Sequence, residues 1–258
     1  MNLLTLIHIE LQKIRRSKIS LLLLLPVILM WIPAVFNSSM NFQMQAERIS
    51  PEYNFLIQGF MGMAWFMLPA TLVICTVLLH QTERVNRGIL KMLSLPVSIP
   101  CLCFAKFLVL LMLLTVQLII TIGAYFISAF AASQMQHYDF LLNPLYVCRV
   151  AAAIYLAAIP MAAVIWMITV LIRTPIFSMG LGLASLVPSV LMINTKVWFA
   201  YPMCYPFYVL MLEYGKASPE IFTAKVSLIP WLPTAAVITV ICLLISCFRF
   251  GSSNRSEV

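Results

Sequence analysis

Six apolar runs, each of 18 residues or more, set the main constraint on how this chain folds. A helix of about 20 residues rises about 30 Å, which is the thickness of the hydrocarbon core of a bilayer. Backbone groups inside that core must be hydrogen-bonded within one segment, so each run predicts a membrane-spanning helix. The runs cover residues 19–36, 55–79, 107–132, 150–172, 176–193 and 226–248.

The composition supports this interpretation and disfavours a soluble protein. Of the 258 residues, 63% are apolar and only 9% are charged, whereas soluble domains carry about 25% charged residues. The chain therefore lacks the polar side chains that would cover a soluble surface. We predict an all-α polytopic membrane protein with six transmembrane helices, in which residues 1–258 form a single transmembrane domain.

The distribution of lysine and arginine predicts the orientation of the chain. With six spans both termini lie on one side, and that side carries eleven basic and three acidic residues. The other side carries five of each, so the whole net charge of +8 lies on one face. Basic loops stay on the cytoplasmic side of a membrane. We therefore expect a multi-pass protein of the cell membrane with both termini in the cytoplasm, and the basic charge predicts topology, not nucleic-acid binding.

Residues 1–18 predict a cytoplasmic interface helix that lies on the membrane instead of crossing it. Apolar side chains recur there at three- and four-residue spacing. They form one stripe made of Leu4, Ile7, Leu11 and Ile14. Glu10, Lys13 and Arg16 occupy other faces, where the basic groups meet anionic lipid headgroups. The alternative is that these charges only anchor the first span as topology signals.

Residues 80–106 form a charged cytoplasmic segment between the second and third spans. Thr82 suits the N-cap of a short amphipathic helix, Glu83 suits its first turn, and Pro96 suits its end. Pro100 suits the first turn of the next helix. Such a rigid helix, held close to the membrane with its charges outward, is suited to docking a cytoplasmic partner. The alternative is an ordinary solvated loop rich in charges that set the topology.

Residues 194–225 form an outer segment rich in aromatic side chains. Seven aromatics occur within the seventeen residues from 198 to 214. Trp and Tyr are favoured at the level of the lipid headgroups. One interpretation is an outer gate or substrate lip, formed by Trp198, Phe199, Tyr201, Tyr205, Phe207 and Tyr208. The alternative is an aromatic belt that binds no ligand.

Enzymatic and ion-coupled functions are disfavoured because the six runs contain no Asp, Glu, Lys, Arg or His. Proton-coupled carriers and intramembrane enzymes keep such groups at membrane depth despite their cost. The sequence also has no G-x-x-x-x-G-K-[ST] phosphate-binding loop, so we expect any ATP hydrolysis on another subunit. His80 and Glu83 lie near the end of a span without a second His or carboxylate nearby, so no metal site is predicted.

The seven cysteines show neither metal-binding spacing nor a C-x-x-C pair. Most of them lie in or near the predicted spans, where packing is the ordinary use of a thiol. Cys148 and Cys204 both fall near the outer face. Whether these two form a disulfide depends on a geometry that the sequence does not contain.

Two stretches carry a resemblance to a known family. The segment E-R-V-N-R-G-I-L-K-M-L-S-L-P-V-S, followed by A-K at the next span, resembles the inner loop of ABC type-2 permeases. The opening H-I-E-L-Q-K-I-R-R-S-K is similar to the N-terminal interface helix of that family. The six-span layout and the outer segment before the last span agree with it. The length and the aromatic-rich outer segment look most like the lantibiotic and bacitracin immunity permeases of Gram-positive bacteria.

The resemblance implies one permease subunit of an ATP-driven exporter. Two such subunits, identical or paralogous, would face each other above ABC ATPase subunits that bind ATP and Mg²⁺, while this chain itself would bind no cofactor. The implied ATPase-coupling residues are Glu10, Lys13, Arg16, Glu83, Arg87, Gly88, Lys91, Pro96, Arg173, Thr174 and Pro175. The implied substrate is a lantibiotic or a similar cationic, amphiphilic antimicrobial peptide, expelled from the membrane lipid so that the cell is protected.

Two other functions remain open on the sequence alone. A non-transporting scaffold or sensor subunit of the membrane would use the same docking helix to bind its partner. An ABC type-2 permease for another amphiphilic substrate would share every feature above. An ATP-dependent efflux measurement separates the first alternative from an exporter.

Overall fold

The computed structural model describes residues 2–16, 19–43, 49–84, 98–172, 174–217 and 228–255. These residues are mostly helical and contain no β-strand, which confirms the all-α fold class. In chain order the α-helices are α1 (Leu3–Arg16), α2 (Ile19–Leu22), α3 (Leu24–Phe36), α4 (Met40–Gln43), α5 (Pro51–Gly62), α6 (Leu68–Arg84), α7 (Ile99–Gln136), α8 (Pro144–Leu171), α9 (Pro175–Ala184), α10 (Pro188–Met192), α11 (Tyr205–Ala217) and α12 (Leu228–Arg255).

Five helical stretches are long and apolar enough to cross a membrane. They are Pro51–Gln81, Ile99–Gln136, Pro144–Leu171, Pro175–Met192 and Ile229–Phe250. They match the second to sixth predicted runs and confirm a polytopic membrane protein. The first predicted run, residues 19–36, forms α2 and α3 instead of one long helix, and α3 is a shorter apolar helix of 13 residues.

The interruption between α2 and α3 has a local cause. Leu23 keeps helical backbone angles, with φ −68° and ψ −23°. Pro26 has no N–H group, so the carbonyl of Leu22 lacks its usual helical donor. The chain therefore keeps its helical direction through Leu23, although one backbone hydrogen bond is missing there. Residues 19–36 are the sixth apolar segment.

A single π-helical turn, Met63–Met67, separates α5 from α6 within one continuous stretch. The N–H of Leu68 donates to the carbonyl of Met63, five residues earlier. Pro69 follows directly, and in a regular α-helix its ring would clash with the carbonyl of Trp65. The wider turn accommodates the proline, and it leaves Trp65 exposed on the surface.

Helix α8 lies at the centre of the bundle, where it contacts α6, α7, α9, α11 and α12. Its small side chains face these neighbours. Ala157, Ala158, Ala162 and Ala163 are all buried. Small residues allow neighbouring helix backbones to approach closely, and these alanines lie where α8 packs against its neighbours.

The short helix α3 is held against α5 and α7 by Trp31. The Trp31 ring lies 5.7 Å from the Phe60 ring and 5.6 Å from the Tyr125 ring. Gly59 makes room for it, because a Cβ atom at Gly59 would lie 2.6 Å from two atoms of the indole. The position of α3 in the bundle therefore depends on a glycine in the neighbouring span.

Candidate functional site

Helix α1 packs against α7 and buries one face. Four buried side chains form that face: Leu6, Ile7, Glu10 and Ile14. The predicted apolar stripe is divided between two environments, because Ile7 and Ile14 are buried whereas Leu4 is 79% exposed and Leu11 is also exposed. The buried face includes the charged Glu10 because α7 supplies a basic partner for its carboxylate. The spacing of apolar residues in α1 cannot predict a partner that comes from another helix.

Glu10 joins the N-terminal helix to the bundle through a buried ion pair. Its side chain is only 2% exposed, and Nζ of Lys106 on α7 lies 2.8 Å from Oε2 of Glu10. Nζ of Lys13, one turn along α1, lies 2.7 Å from Oε1. Lys106 is as deeply buried as Glu10, whereas Lys13 is partly exposed. One carboxylate therefore connects two lysines from two helices.

The Glu10 carboxyl stays ionised although it is buried. Burial opposes ionisation, but the positive charge and hydrogen bond of Lys106, with those of Lys13, outweigh it and hold the pKa of Glu10 below its ordinary value of 4.5. Two charges taken out of water are stable only when they face each other in good hydrogen-bonding geometry. The pair therefore fixes α1 against the start of α7 as long as both residues are charged.

The ends of four long helices meet close to this ion pair, and we call the residues there the His80 cluster: His80, Cys103, Trp166 and Phe250. The His80 ring lies 4.7 Å from that of Trp166 on α8 and 5.7 Å from that of Phe250 on α12. Nε1 of Trp166 donates to Sγ of Cys103 on α7 across 3.4 Å. The C-terminal parts of α6, α8 and α12 and the N-terminal part of α7 therefore share one end of the bundle with α1.

The sequence-predicted coupling residues fall on this end or outside the described residues. Lys13 reaches the surface of α1, Thr174 is exposed at the N-cap of α9, and Pro175 begins α9. Arg16 is the last residue of α1 and Glu83 lies in the last turn of α6; the side chains of both lie outside the described part of the structure. Four residues of the segment between the second and third spans, and the arginine before Thr174, lie outside the described residues: Arg87, Gly88, Lys91, Pro96 and Arg173.

The boundaries of the segment at residues 80–106 differ from the predicted ones on its N-terminal side. Helix α6 continues to Arg84, so Thr82 lies inside a helix and is not the N-cap of a new one. Glu83 therefore lies in the last turn of α6 and not in the first turn of a new helix. On the other side, Pro100 occupies the first turn of α7 after Ser98, as predicted.

Aromatic side chains of the outer segment pack together and against Trp231 of α12. The Trp198 and Tyr208 rings stack with centroids 3.8 Å apart and an interplanar angle of 24°. Trp231 of α12 packs edge-on against Tyr208 at 5.6 Å and against Tyr205 at 5.7 Å. We call these four residues, Trp198, Tyr205, Tyr208 and Trp231, the outer aromatic cluster.

The other predicted gate residues anchor this cluster to the bundle. The Tyr205 hydroxyl donates to the carbonyl of Phe199, and the Tyr201 hydroxyl donates to that of Ser185. Phe207 is buried and packs near Trp65 of the π-helical turn, 6.3 Å between ring centroids. Since Tyr205, Phe207 and Tyr208 are buried, these three side chains form interior packing and not an aromatic belt on the surface.

The two outer cysteines are both free thiols. Cys148 is exposed on α8, whereas Cys204 is buried and its Sγ donates to the carbonyl of Tyr201 across 2.9 Å. The open question of a disulfide between them is therefore answered by two thiols in different environments. Among the residues that the structure describes, no group of three or more His, Cys, Asp or Glu side chains could hold a metal ion.

The Glu10–Lys106 pair is the contact that sequence reasoning missed. The sequence predicts Glu10 as a coupling residue on a polar face of α1, and it assigns Lys106 only to the cytoplasmic charge and to the A-K of the family resemblance. One signal was available, because Glu10 falls between Ile7 and Ile14 at helical spacing, on the apolar stripe itself. A carboxylate on an apolar stripe implies a buried cation, but which of the basic residues supplies it depends on the packing of α1.

Comparison with known proteins gives one match. A sequence family described as ABC-2 family transporter protein matches residues 6–189, which is more than half of the chain. The matched region begins within α1 and ends within α10. The outer aromatic cluster and α12 lie beyond it. Neither the curated proteins nor the solved structures contain a match.

Proposed function

This chain belongs to the ABC-2 family of transporter proteins, and from that premise we propose that it exports a lantibiotic or a similar cationic antimicrobial peptide. Family membership makes the chain a permease subunit of an ABC exporter, which is a transport component and not itself catalytic. Its partner is an ABC ATPase subunit. The match over residues 6–189 is the observation on which the function depends.

The amphiphilic substrate class is supported by how the polar groups of the spans are used. The hydroxyls of Thr71, Thr76 and Thr121 donate to carbonyls four residues earlier in their own helices, at 2.6 to 2.9 Å. Such hydroxyls are already hydrogen-bonded and give a hydrophilic solute few partners. An amphiphilic peptide that leaves the membrane needs mainly apolar and aromatic contacts, which this bundle offers on most of its surfaces.

Coupling to the ATPase is proposed at the end of the bundle that carries α1. Closure of the ATPase subunits would press on α1, on residues 83–96 and on residues 173–175. A force on α1 passes to α7 through the bond from Lys106 to Glu10, so that two rigid helices move together. In this proposal Lys13 and Arg16 contact the ATPase, and Glu10 is a positioning residue that holds α1 in place.

The proposed assembly has two permease subunits, identical or paralogous, above two ATPase subunits that bind ATP and Mg²⁺. The proposed setting is the cell membrane of a Gram-positive bacterium, where export of the peptide from the membrane protects the cell. The resemblance of the two sequence stretches to the immunity permeases supports this choice of substrate.

The deciding experiment measures peptide export by the complete transporter. The chain is purified with the ATPase that accompanies it and reconstituted into vesicles that hold a fluorescent lantibiotic in the membrane. We expect ATP-dependent release of the peptide, and no release when ATP is replaced by ADP. A complex that binds and hydrolyses ATP but releases no peptide supports the alternative of a scaffold or sensor, and release of another amphiphile in its place changes the substrate.

A charge exchange tests the coupling segment separately. Glu83→Lys combined with Lys91→Glu reverses two charges of residues 83–96 and keeps the net charge. We expect the ATPase to copurify in less than about a tenth of its usual amount, because docking through charged groups depends on complementary signs. The exchange Asp139→Lys with Lys196→Glu, at two exposed residues of the face predicted to lie outside, is the control. Full ATPase binding in the Glu83/Lys91 variant would show that this segment does not dock the ATPase.

A further inference from the structure

A cavity of about 330 Å³ lies between α8, α11 and α12. This volume is in the range of pockets that bind small ligands. Ala153 and Leu156 of α8, Val209 of α11 and Leu232 of α12 are among its apolar walls. Leu156 and Leu232 are also 65% and 57% exposed. In a membrane protein such exposed leucines contact lipid, so the apolar part of the cavity borders the lipid-facing surface.

Charged side chains line the same cavity beside its apolar walls. Arg149 of α8 and Glu213 and Lys216 of α11 belong to it. Glu213 and Lys216 also line a second cavity of about 400 Å³, together with Tyr146. The two cavities therefore adjoin at a polar region. The three charged groups carry a net charge of +1.

The Glu213 carboxylate in this polar region already accepts hydrogen bonds, whereas Arg149 and Trp231 are donors without an acceptor among the described residues. The Glu213 carboxylate accepts hydrogen bonds from the Tyr146 hydroxyl at 3.0 Å and from Lys216. Arg149 has no carboxylate partner within the described residues. Trp231 lines the apolar part, is only 9% exposed, and its indole N–H finds no acceptor in the described part of the chain. An indole nitrogen can only donate, and a buried donor without an acceptor is unfavourable.

We propose that this cavity binds one anionic glycerophospholipid, with an acyl chain between α8, α11 and α12 and its phosphate at Arg149 and Lys216. A glycerophospholipid supplies what the cavity lacks. Its phosphate oxygens carry the negative charge, and its ester carbonyls are acceptors for the Trp231 N–H. A cationic amphiphile brings donors and positive charge to a region that already has an excess of both. The site is a property of this subunit alone and does not depend on the proposed peptide export.

Native mass spectrometry of the purified full chain in detergent tests the site, with phosphatidylglycerol as the probe. Ala153→Phe fills the cavity from α8, and Ala152→Phe places the same ring on the exposed side of the same helix. We expect Ala153→Phe to weaken phosphatidylglycerol binding at least tenfold and Ala152→Phe to change it less than twofold. Trp231→Phe keeps an aromatic ring and removes the N–H, so we expect binding to weaken about threefold to tenfold.

The exposed Arg149 provides a variant whose folding is not in question. Arg149→Gln should remove the preference for phosphatidylglycerol over phosphatidylcholine while leaving the melting temperature unchanged. Inorganic phosphate at the same concentration should not compete, because it has no acyl chain. Equal binding in the Ala153→Phe and Ala152→Phe variants would overturn the proposal. Competition by phosphate alone would identify a free-anion site, and tighter binding of a cationic amphipathic peptide would identify a peptide site; either result rejects the lipid.

Because the measurement uses the subunit without its ATPase, its failure leaves the proposed export function untouched. In the same way, a transporter that exports no peptide leaves lipid binding to this cavity as it was measured. The two proposals can therefore fail separately.

Discussion

Glu10 and Lys106 carry opposite charges that folding removes from water and pairs with each other. Both are buried, and both oxygens of the Glu10 carboxylate are bonded to lysines. Such a pair contributes less to stability than its geometry suggests, because desolvation of both charges opposes the attraction. Removing one member of the pair is nevertheless severe, since the other buried charge then loses an opposite charge that balances it.

Glu10→Gln should destabilise the protein by about 3–5 kcal/mol, because the buried Lys106 then loses the negative charge that accepts its hydrogen bond. Lys13→Gln removes the other, partly exposed lysine of the same carboxylate and should cost about 1 kcal/mol or less. Thermal unfolding in detergent measures both. The double variant Glu10→Leu with Lys106→Met should recover most of the loss. A single Glu10→Gln variant as stable as the wild type would show that the pair holds nothing in place.

The same pair predicts how stability depends on pH. The pKa of Glu10 is lowered in the folded protein, so its stabilising contribution is fully present above the unfolded value of about 4.5 and is lost as the pH falls through the folded value. The difference in melting temperature between wild type and Glu10→Gln should therefore be constant near neutral pH and shrink below about pH 4.5. A difference that stays constant down to pH 3 would mean that Glu10 does not titrate with unfolding.

At the scale of the elements, close helix approach depends on glycines in a few places. A Cβ atom at Gly59 of α5 would lie 2.6 Å from the Trp31 indole, and one at Gly182 of α9 would lie 2.9 Å from two methyl groups of Val73. Trp31 is buried among other rings and has no free direction in which to move. These glycines therefore set the distance between neighbouring helices.

Gly59→Ala should destabilise the protein by about 1–3 kcal/mol through overpacking against Trp31. Gly123→Ala is the matched control, because no atom lies within 4 Å of a Cβ at Gly123 in the long helix α7. That change should be neutral or stabilise by up to about 1 kcal/mol, since alanine favours helix over glycine. Melting temperatures of the two variants in one detergent give the comparison, and equal shifts would contradict the packing argument.

Sequence patterns predicted the elements well where a helix forms from local information. The runs at residues 55–79, 107–132, 150–172 and 176–193 became helical stretches, and prolines at positions 51, 100, 144 and 175 occupy their first turns. Prediction was poorer where backbone hydrogen bonds are missing. Pro26 divides the first run and Pro69 widens the second, because a proline removes one donor without ending the helix.

At the scale of the whole molecule, the orientation in the membrane is a prediction from charge. The exposed thiol of Cys148 lies on the face predicted to be outside, and Cys204 is buried. A maleimide that does not cross membranes should label intact cells at Cys148 and not at Cys204. Cys148→Ser should abolish the labelling. Labelling of Cys148 in inverted vesicles but not in intact cells would reverse the predicted topology.

The sequence by itself determined the fold class, the approximate positions of the apolar helices and the family. Each of these depends on information within one segment: the length of an apolar run, the place of a proline, or a short stretch of motif residues. A membrane strengthens this local control, because every span must satisfy its own backbone hydrogen bonds.

Only the tertiary structure decided which side chains meet across the bundle. It paired Glu10 with Lys106, which are 96 residues apart, and placed Trp231 of α12 against the aromatic residues of the outer segment. It also turned predicted surface aromatics such as Tyr205 and Phe207 inward and placed charged groups beside an apolar cavity. The physical reason is that such contacts depend on how each packed helix is rotated about its axis and how far it lies from its neighbours. Hydrophobic periodicity shows which side of a helix is apolar, but it does not define this rotation or this distance closely enough to pair individual side chains.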